Sequence, residues 1–170
     1  MSSSDQGKAE AVKWILDNLK RGDTALDVGA GDGKWAALLK GYLLMDAVEV
    51  FWPNISNHEL YKKYHNTYIA DIRDFKYTYY DLIIMGDVLE HMTVQDAQNV
   101  INYARARCLY MLVAVPFNWP QGAIYGNPYE EHIQDDLTPE LFNKRYPGFK
   151  CIYQTYNYGY YILDNSEANK

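Results

Sequence analysis

The sequence predicts an α/β fold: a mostly parallel sheet of seven strands, helices on both of its faces, and an antiparallel hairpin at the C-terminal end. Three observations lead there. Short apolar runs alternate with helical patterns from Thr24 to Val115, which is how parallel strands joined by crossover helices read. Two β-rich runs then follow each other across Asn157-Tyr158-Gly159, a hairpin signal. The 170 residues, 48% apolar and 22% charged, suit one domain with one sheet and are too few for two. One domain over 1–170 is expected, with residues 1–7, small and polar, frayed.

The elements follow in order. Val12, Ile15, Leu16 and Leu19 recur at i, i+3, i+4 and i+7, one apolar stripe of a helix beginning near Ala11 and stopped by Gly22. Thr24 to Val28 is a short buried strand, Gly29 to Gly33 a glycine-rich turn, and Lys34 to Lys40 a short helix. Asp46 to Val50 is the second strand. Ser56-Asn57-His58-Glu59 has the form of a capping box and predicts a helix from Asn57 to Tyr64. Thr67 to Ala70 and Tyr80 to Met85 are the third and fourth strands. Thr93 caps a helix whose Val94, Ala97, Ile101 and Ala104 share a face. Cys108 to Val115 is apolar throughout, as a strand covered on both faces must be. Pro139 opens a last helix at a position where its missing N–H costs nothing, and Phe149 to Tyr156 pairs with Tyr160 to Leu163.

Between the fifth strand and that helix, Pro116 to Leu137 has no clear period. A loop of this length is usually functional or disordered, and Trp119, Ile124 and Tyr125 make it too apolar for plain disorder, so a lid or pocket wall is expected, with structural filler as the alternative.

Composition narrows the function. Sixteen Lys plus Arg against 22 Asp plus Glu give a net charge of −6, a poor match for duplex nucleic acid. No apolar run approaches the roughly 18 residues of a membrane span, and MSSSDQGKAE lacks the form of a secretory leader, so a cytoplasmic location is expected. Cys108 and Cys151 are too few for a disulfide framework or a zinc site and are expected to be reduced core thiols, with no metal site assigned.

The strongest local signal is Asp27-Val28-Gly29-Ala30-Gly31-Asp32-Gly33, directly after the first strand. Glycines there let the chain turn sharply and let a ligand approach without a Cβ in the way. A dinucleotide fingerprint would need a third glycine at 34, where Lys34 stands, and a P-loop would need Ser or Thr where Trp35 stands. What remains is an acid at a strand end followed by Gly-x-Gly-x-Gly.

This segment, TALDVGAGDG (24–33), resembles the first motif of class I S-adenosylmethionine-dependent methyltransferases. The resemblance extends to Glu49, to Ala70-Asp71-Ile72 and to YDLIIMGDVLEH (80–91), and covers roughly residues 9–163. It implies a Rossmann-like, doubly wound sheet and S-adenosylmethionine as cofactor. It also implies roles: Gly29 and Gly31 against the methionine part, Asp27 near its amino group, Glu49 on the ribose diol, Asp71 and the Ile72 N–H on the adenine, Asp87 beside the transferred methyl, and Val88 and Leu89 lining the cofactor. His91 is read either as a proton acceptor near the acceptor atom or as a structural histidine. His132 is read either as a substrate contact or as a solvated loop residue.

Methyl transfer from a sulfonium is an in-line displacement that needs alignment and exclusion of water, so no catalytic triad has to be present. The tetrad that marks adenine- or amide-nitrogen methylation is replaced by Gly86-Asp87-Val88-Leu89, which favours a small-molecule or protein side-chain acceptor. Without an inserted substrate domain the site is expected to be open, covered by a large acceptor or by the second subunit of a homodimer. Two rival readings are a cofactor-binding regulatory protein without turnover and a nicotinamide-dependent oxidoreductase.

Overall fold

The computed structural model describes residues 5–166. Its sheet has seven strands: β1 (Thr24–Val28), β2 (Leu44–Glu49), β3 (Asn66–Ile69), β4 (Tyr80–Gly86), β5 (Cys108–Pro116), β6 (Lys150–Gln154) and β7 (Tyr158–Asp164). Their spatial order is β3-β2-β1-β4-β5-β7-β6. The first five strands run parallel, while β7 is antiparallel to both β5 and β6. This is the Rossmann-like, doubly wound sheet with a C-terminal antiparallel pair that the sequence predicts. Five α-helices flank it: α1 (Lys8–Asn18), α2 (Lys34–Leu38), α3 (Trp52–Asn57), α4 (Val94–Arg105) and α5 (Pro139–Arg145).

Alternation along the strands divides the core into two layers. On one face Leu26, Ile83, Met85, Met111 and Val113 pack with Ala97 and Ile101 of α4 and Phe142 of α5. On the other Ala25, Leu82, Ile84, Leu112 and Ala114 pack with Ile15 of α1 and Trp35 of α2. Burial on both faces explains why β4 and β5 read as continuous apolar runs. Thr93 and Thr138 cap α4 and α5, each side-chain oxygen accepting the N–H three residues on, from Asp96 at 3.1 Å and Leu141 at 3.2 Å. No helix among the described residues is long and apolar enough to cross a membrane.

Four local expectations are corrected. The first helix starts at Lys8, ahead of its apolar stripe; the Lys8 side chain is buried, with its ammonium 4.7 Å from the centre of the Trp35 ring. The Ser56 capping box does not start a helix: Pro53 sets the start of α3 at Trp52, and Glu59, at φ +48°, breaks the chain into a single 3₁₀ turn at Leu60–Lys62. The hairpin turn lies at 155–157 rather than 157–159, closed by the Thr155 N–H donating to the Tyr158 carbonyl at 2.8 Å. Finally, Cys108 is buried but Cys151 is exposed, because it sits on the edge strand β6. Of residues 1–7, expected to fray, 1–4 lie outside the described residues, and Asp5 pairs with Lys34 at 2.8 Å.

Candidate active site

Strand order reverses between β1 and β4: from β1 the chain first builds outward through β2 and β3, then crosses to β4. The carboxyl ends of strands on either side of such a switch point diverge and leave a crevice. In register, Val28 of β1 stands beside Val48 of β2 and Met85 of β4, so the loops after all three strands meet at one level. A cleft of about 450 Å³ opens there, in the range of small-molecule sites.

The glycine turn forms its floor. At Gly29, with φ +66°, a side chain would be strained: a Cβ would stand 2.9 Å from Cγ2 of Val88, which arrives from the loop after β4. Gly31, at φ +54°, has its N–H bound to Oε2 of Glu49 at 2.9 Å. The other oxygen of Glu49 accepts the Phe51 N–H at 2.8 Å. Glu49 is buried at the end of β2 and tied to the turn on β1, and two of its roughly four lone-pair sites are still uncommitted.

Along the edge made by β3, Asp71 and Ile72 line the cleft beside Arg73. The guanidinium of Arg73 clasps the Asp71 carboxylate, with Nε 2.9 Å from Oδ1 and a second nitrogen on Oδ2, and holds its pKa below the usual range. Asp87, just past β4, adopts φ +56°, a conformation that costs a non-glycine residue energy and is characteristic of functional turns. It is fixed by its N–H on the Ala114 carbonyl at 3.0 Å and by the Tyr158 hydroxyl on Oδ1 at 2.6 Å.

The opposite wall comes from the loop after β5. It is pinned to the turn at Leu89–His91: the Ile133 and Gln134 N–H groups both donate to the Glu90 carbonyl, at 2.8 and 3.0 Å. The side chain of Gln134, fully enclosed, donates to the carbonyls of Leu89 and Met92 and accepts the Tyr146 hydroxyl at 2.7 Å. This clamp sets His132 against His91, with ring centres 4.8 Å apart. Glu90 lies beside them, 1% exposed, with neither carboxylate oxygen hydrogen-bonded. Burial first, and then the Asp87 charge, hold its pKa well above the carboxylate range; burial likewise lowers that of His91.

Of the residues singled out in the sequence, Gly29, Gly31, Glu49, Asp71, Ile72, Asp87, Val88, His91 and His132 converge on this cleft. Asp27 does not line it. It is 1% exposed, takes a hydrogen bond from the Tyr64 hydroxyl, and burial pushes its pKa up to about 7. A carboxyl at the end of a short central strand is covered by whatever packs over that strand, here the segment carrying Tyr64. Trp119, expected in the wall over a site, lines the cleft, while sequence reading passed over Trp35 and Tyr158, which also line it, and Gln134, which braces it. Aromatic and amide side chains carry no spacing signature, so only their three-dimensional neighbours reveal them.

A methyltransferase domain profile matches residues 5–135 of the chain. No curated protein sequence matches. Among solved structures, magnesium protoporphyrin IX methyltransferase from Synechocystis with bound S-adenosylhomocysteine is similar over 92% of this chain and 81% of its own, at 16% identity and a TM-score of 0.67. An S-adenosylmethionine-dependent methyltransferase from Clostridium acetobutylicum gives a TM-score of 0.71 at 12% identity, over 92% of this chain and 89% of its own. The 1,6-didemethyltoxoflavin-N1-methyltransferase of Burkholderia thailandensis gives 0.65 at 15%, over 95% and 79%. With the profile spanning most of the chain and the sheet order and cleft in agreement with it, the protein belongs to the class I S-adenosylmethionine-dependent methyltransferase family.

Proposed function

We propose that this protein transfers a methyl group from S-adenosylmethionine to a small-molecule acceptor. The observation that carries the reading is the pairing of a glycine turn, with Gly29 and Gly31 both at positive φ, with a buried carboxylate, Glu49, that has acceptor capacity to spare. The residues present fit the cofactor: Gly29 and Gly31 offer bare backbone to an amino-acid moiety, Glu49 two further acceptor sites to a ribose diol, and Ile72 and Asp71 a rim for the adenine. Asp27 is not among them, since its carboxyl is enclosed with Tyr64.

When bound, S-adenosylmethionine supplies an electrophilic methyl on a sulfonium that is already a good leaving group. The chain's own work is therefore positioning and exclusion of water. Glu49 fixes the glycine turn, Asp87 and Tyr158 fix the end of β4, and the Pro116–Leu137 loop walls the cleft with Trp119 and His132. That loop and the 89–91 turn line the cleft beside the residues assigned to the cofactor, and we assign them to the acceptor side. A cleft of this volume accommodates little beyond a nucleoside-sized cofactor and a compact partner, which favours a small acceptor over a folded protein.

The test is a comparison of thermal shifts. S-adenosylhomocysteine well above its dissociation constant is expected to stabilise the protein by a few kcal/mol, with NAD(H) and NADP(H) without effect. Stabilisation by the nicotinamides alone would overturn the reading. Turnover is then read with labelled S-adenosylmethionine across a screen of small hydroxyl, amine and thiol acceptors.

A further inference from the structure

The three side chains gathered on the acceptor side form a constellation that methyl transfer alone does not require. A carboxylate oxygen of Glu90 and one ring nitrogen each from His91 and His132 all lie within 4.8 Å of one another. Glu90 contributes from inside: it is 1% exposed, lines the cleft, and both its oxygens lack a hydrogen-bond donor. Nε2 of His91 is 3.9 Å from Oε1, too far for a hydrogen bond. A buried carboxyl group whose two oxygens find no partner is costly in either protonation state, and such a group in a native fold calls for an explanation, an ion among them.

The two imidazoles are oriented to supply it. Nδ1 of His91 lies 3.0 Å from the Glu131 carbonyl, and Nδ1 of His132 lies 2.6 Å from the Trp119 carbonyl. A carbonyl only accepts, so each Nδ1 carries the proton and each neutral ring keeps its lone pair on Nε2. This is the arrangement by which backbone carbonyls hold metal-ligating histidines in tautomer and in plane. The carbonyls are themselves anchored in the loop, through the His132 N–H on Gln121 and the Ile133 N–H on Glu90, at 2.9 and 2.8 Å.

We propose that Glu90, His91 and His132 form a binding site for a divalent first-row transition-metal ion, on the acceptor side of the cleft. Two nitrogens and one oxygen suit Zn²⁺ and its neighbours rather than Mg²⁺ or Ca²⁺, which take oxygen ligands. Ligand atoms around a tetrahedral ion with bonds of about 2.1 Å stand about 3.4 Å apart. From their present spacing of up to 4.8 Å the three ligand atoms have to draw together by up to about 1.4 Å around such an ion. Three protein ligands leave at least one coordination position open to water or to an acceptor oxygen. Sequence alone gave no hint, because His132 lies 41 positions beyond His91 in no metal-ligand spacing.

The test is independent of methyl transfer, since it needs neither cofactor nor acceptor. The full-length protein, stripped with a chelator and dialysed, is titrated with Zn²⁺ by calorimetry near neutral pH. One equivalent per chain is expected. His132→Ala and Glu90→Gln should each weaken binding at least tenfold, the lower end of what loss of even an indirect ligand contact costs. His65→Ala, outside the cleft, should bind as the parent does. Because His132 sits on a surface loop, its replacement leaves the core intact, which circular dichroism verifies. In Co²⁺-loaded protein, His132→Ala should also change the visible absorption. Absence of stoichiometric binding, or binding that survives His132→Ala and Glu90→Gln unchanged, would overturn the proposal while leaving the cofactor reading untouched.

Discussion

Glu49 and Gly31, on neighbouring strand ends, are joined by one hydrogen bond: the Gly31 N–H donates to Oε2 at 2.9 Å. That bond locks the glycine turn of β1 to the carboxylate of β2 and sets the shape of the cleft floor. Glu49→Ala removes both the lock and the acceptors offered to a diol. Calorimetry should show S-adenosylhomocysteine binding weakened by about 1 to 3 kcal/mol, the range for a lost charged hydrogen-bond partner. Unchanged affinity would remove Glu49 from the site.

Gly29→Ala meets two obstacles, a backbone at φ +66° and the Val88 methyl 2.9 Å from the new Cβ. Urea unfolding should show a loss of about 1 to 3 kcal/mol, as expected for a residue forced into the left-handed region. Val88→Ala in the same chain should recover only part of it, since it relieves the clash and leaves the backbone strain. Full recovery would mean that the strain is negligible.

Asp27 holds its proton more tightly when folded, at about 7, than at its ordinary value of 3.8. Between those pH values the folded state binds more protons than the unfolded one. Stability from this group is therefore greatest below about pH 4, falls as pH rises toward 7, and levels off above. The slope is at most about 1.4 kcal/mol per pH unit. Asp27→Asn, which keeps an acceptor for Tyr64, should flatten this decline in urea-unfolding series measured across the window. Parallel slopes in the two proteins would refute the burial effect.

The Gln134 side chain ties two other segments to its own loop, through the carbonyls of Leu89 and Met92 and through the Tyr146 hydroxyl. Gln134→Leu takes this partner from the Met92 carbonyl and the Tyr146 hydroxyl, while the Leu89 carbonyl keeps the Met92 N–H at 3.2 Å, and should cost about 3 kcal/mol. Hydrogen exchange should quicken first in the 89–92 turn and the loop around His132, because these are what the amide holds together. Loss of stability with unaltered exchange there would show that the clamp is not local.

Much of the fold was legible because its signals are short-range. Periodicity over a few residues marked α1 and α4, Thr93 and Pro139 marked the starts of α4 and α5, and the glycine spacing after β1 excluded dinucleotide and P-loop patterns. The errors were also short-range signals, outcompeted by neighbours: Ser56 has the right motif for a cap, but Pro53 had already fixed the helix three residues earlier.

The sequence by itself determined the strand and helix order, the glycine turn and the identity of Glu49 as a strand-end acid, because each depends on residues a few positions apart. Tertiary structure decided which acids face the cleft. It enclosed Asp27 with Tyr64, 37 positions away, and brought His132 over Glu90 and His91 through hydrogen bonds spanning about 40 residues. Burial and long-range backbone pairing set those outcomes, and neither leaves a mark in the local pattern of side chains.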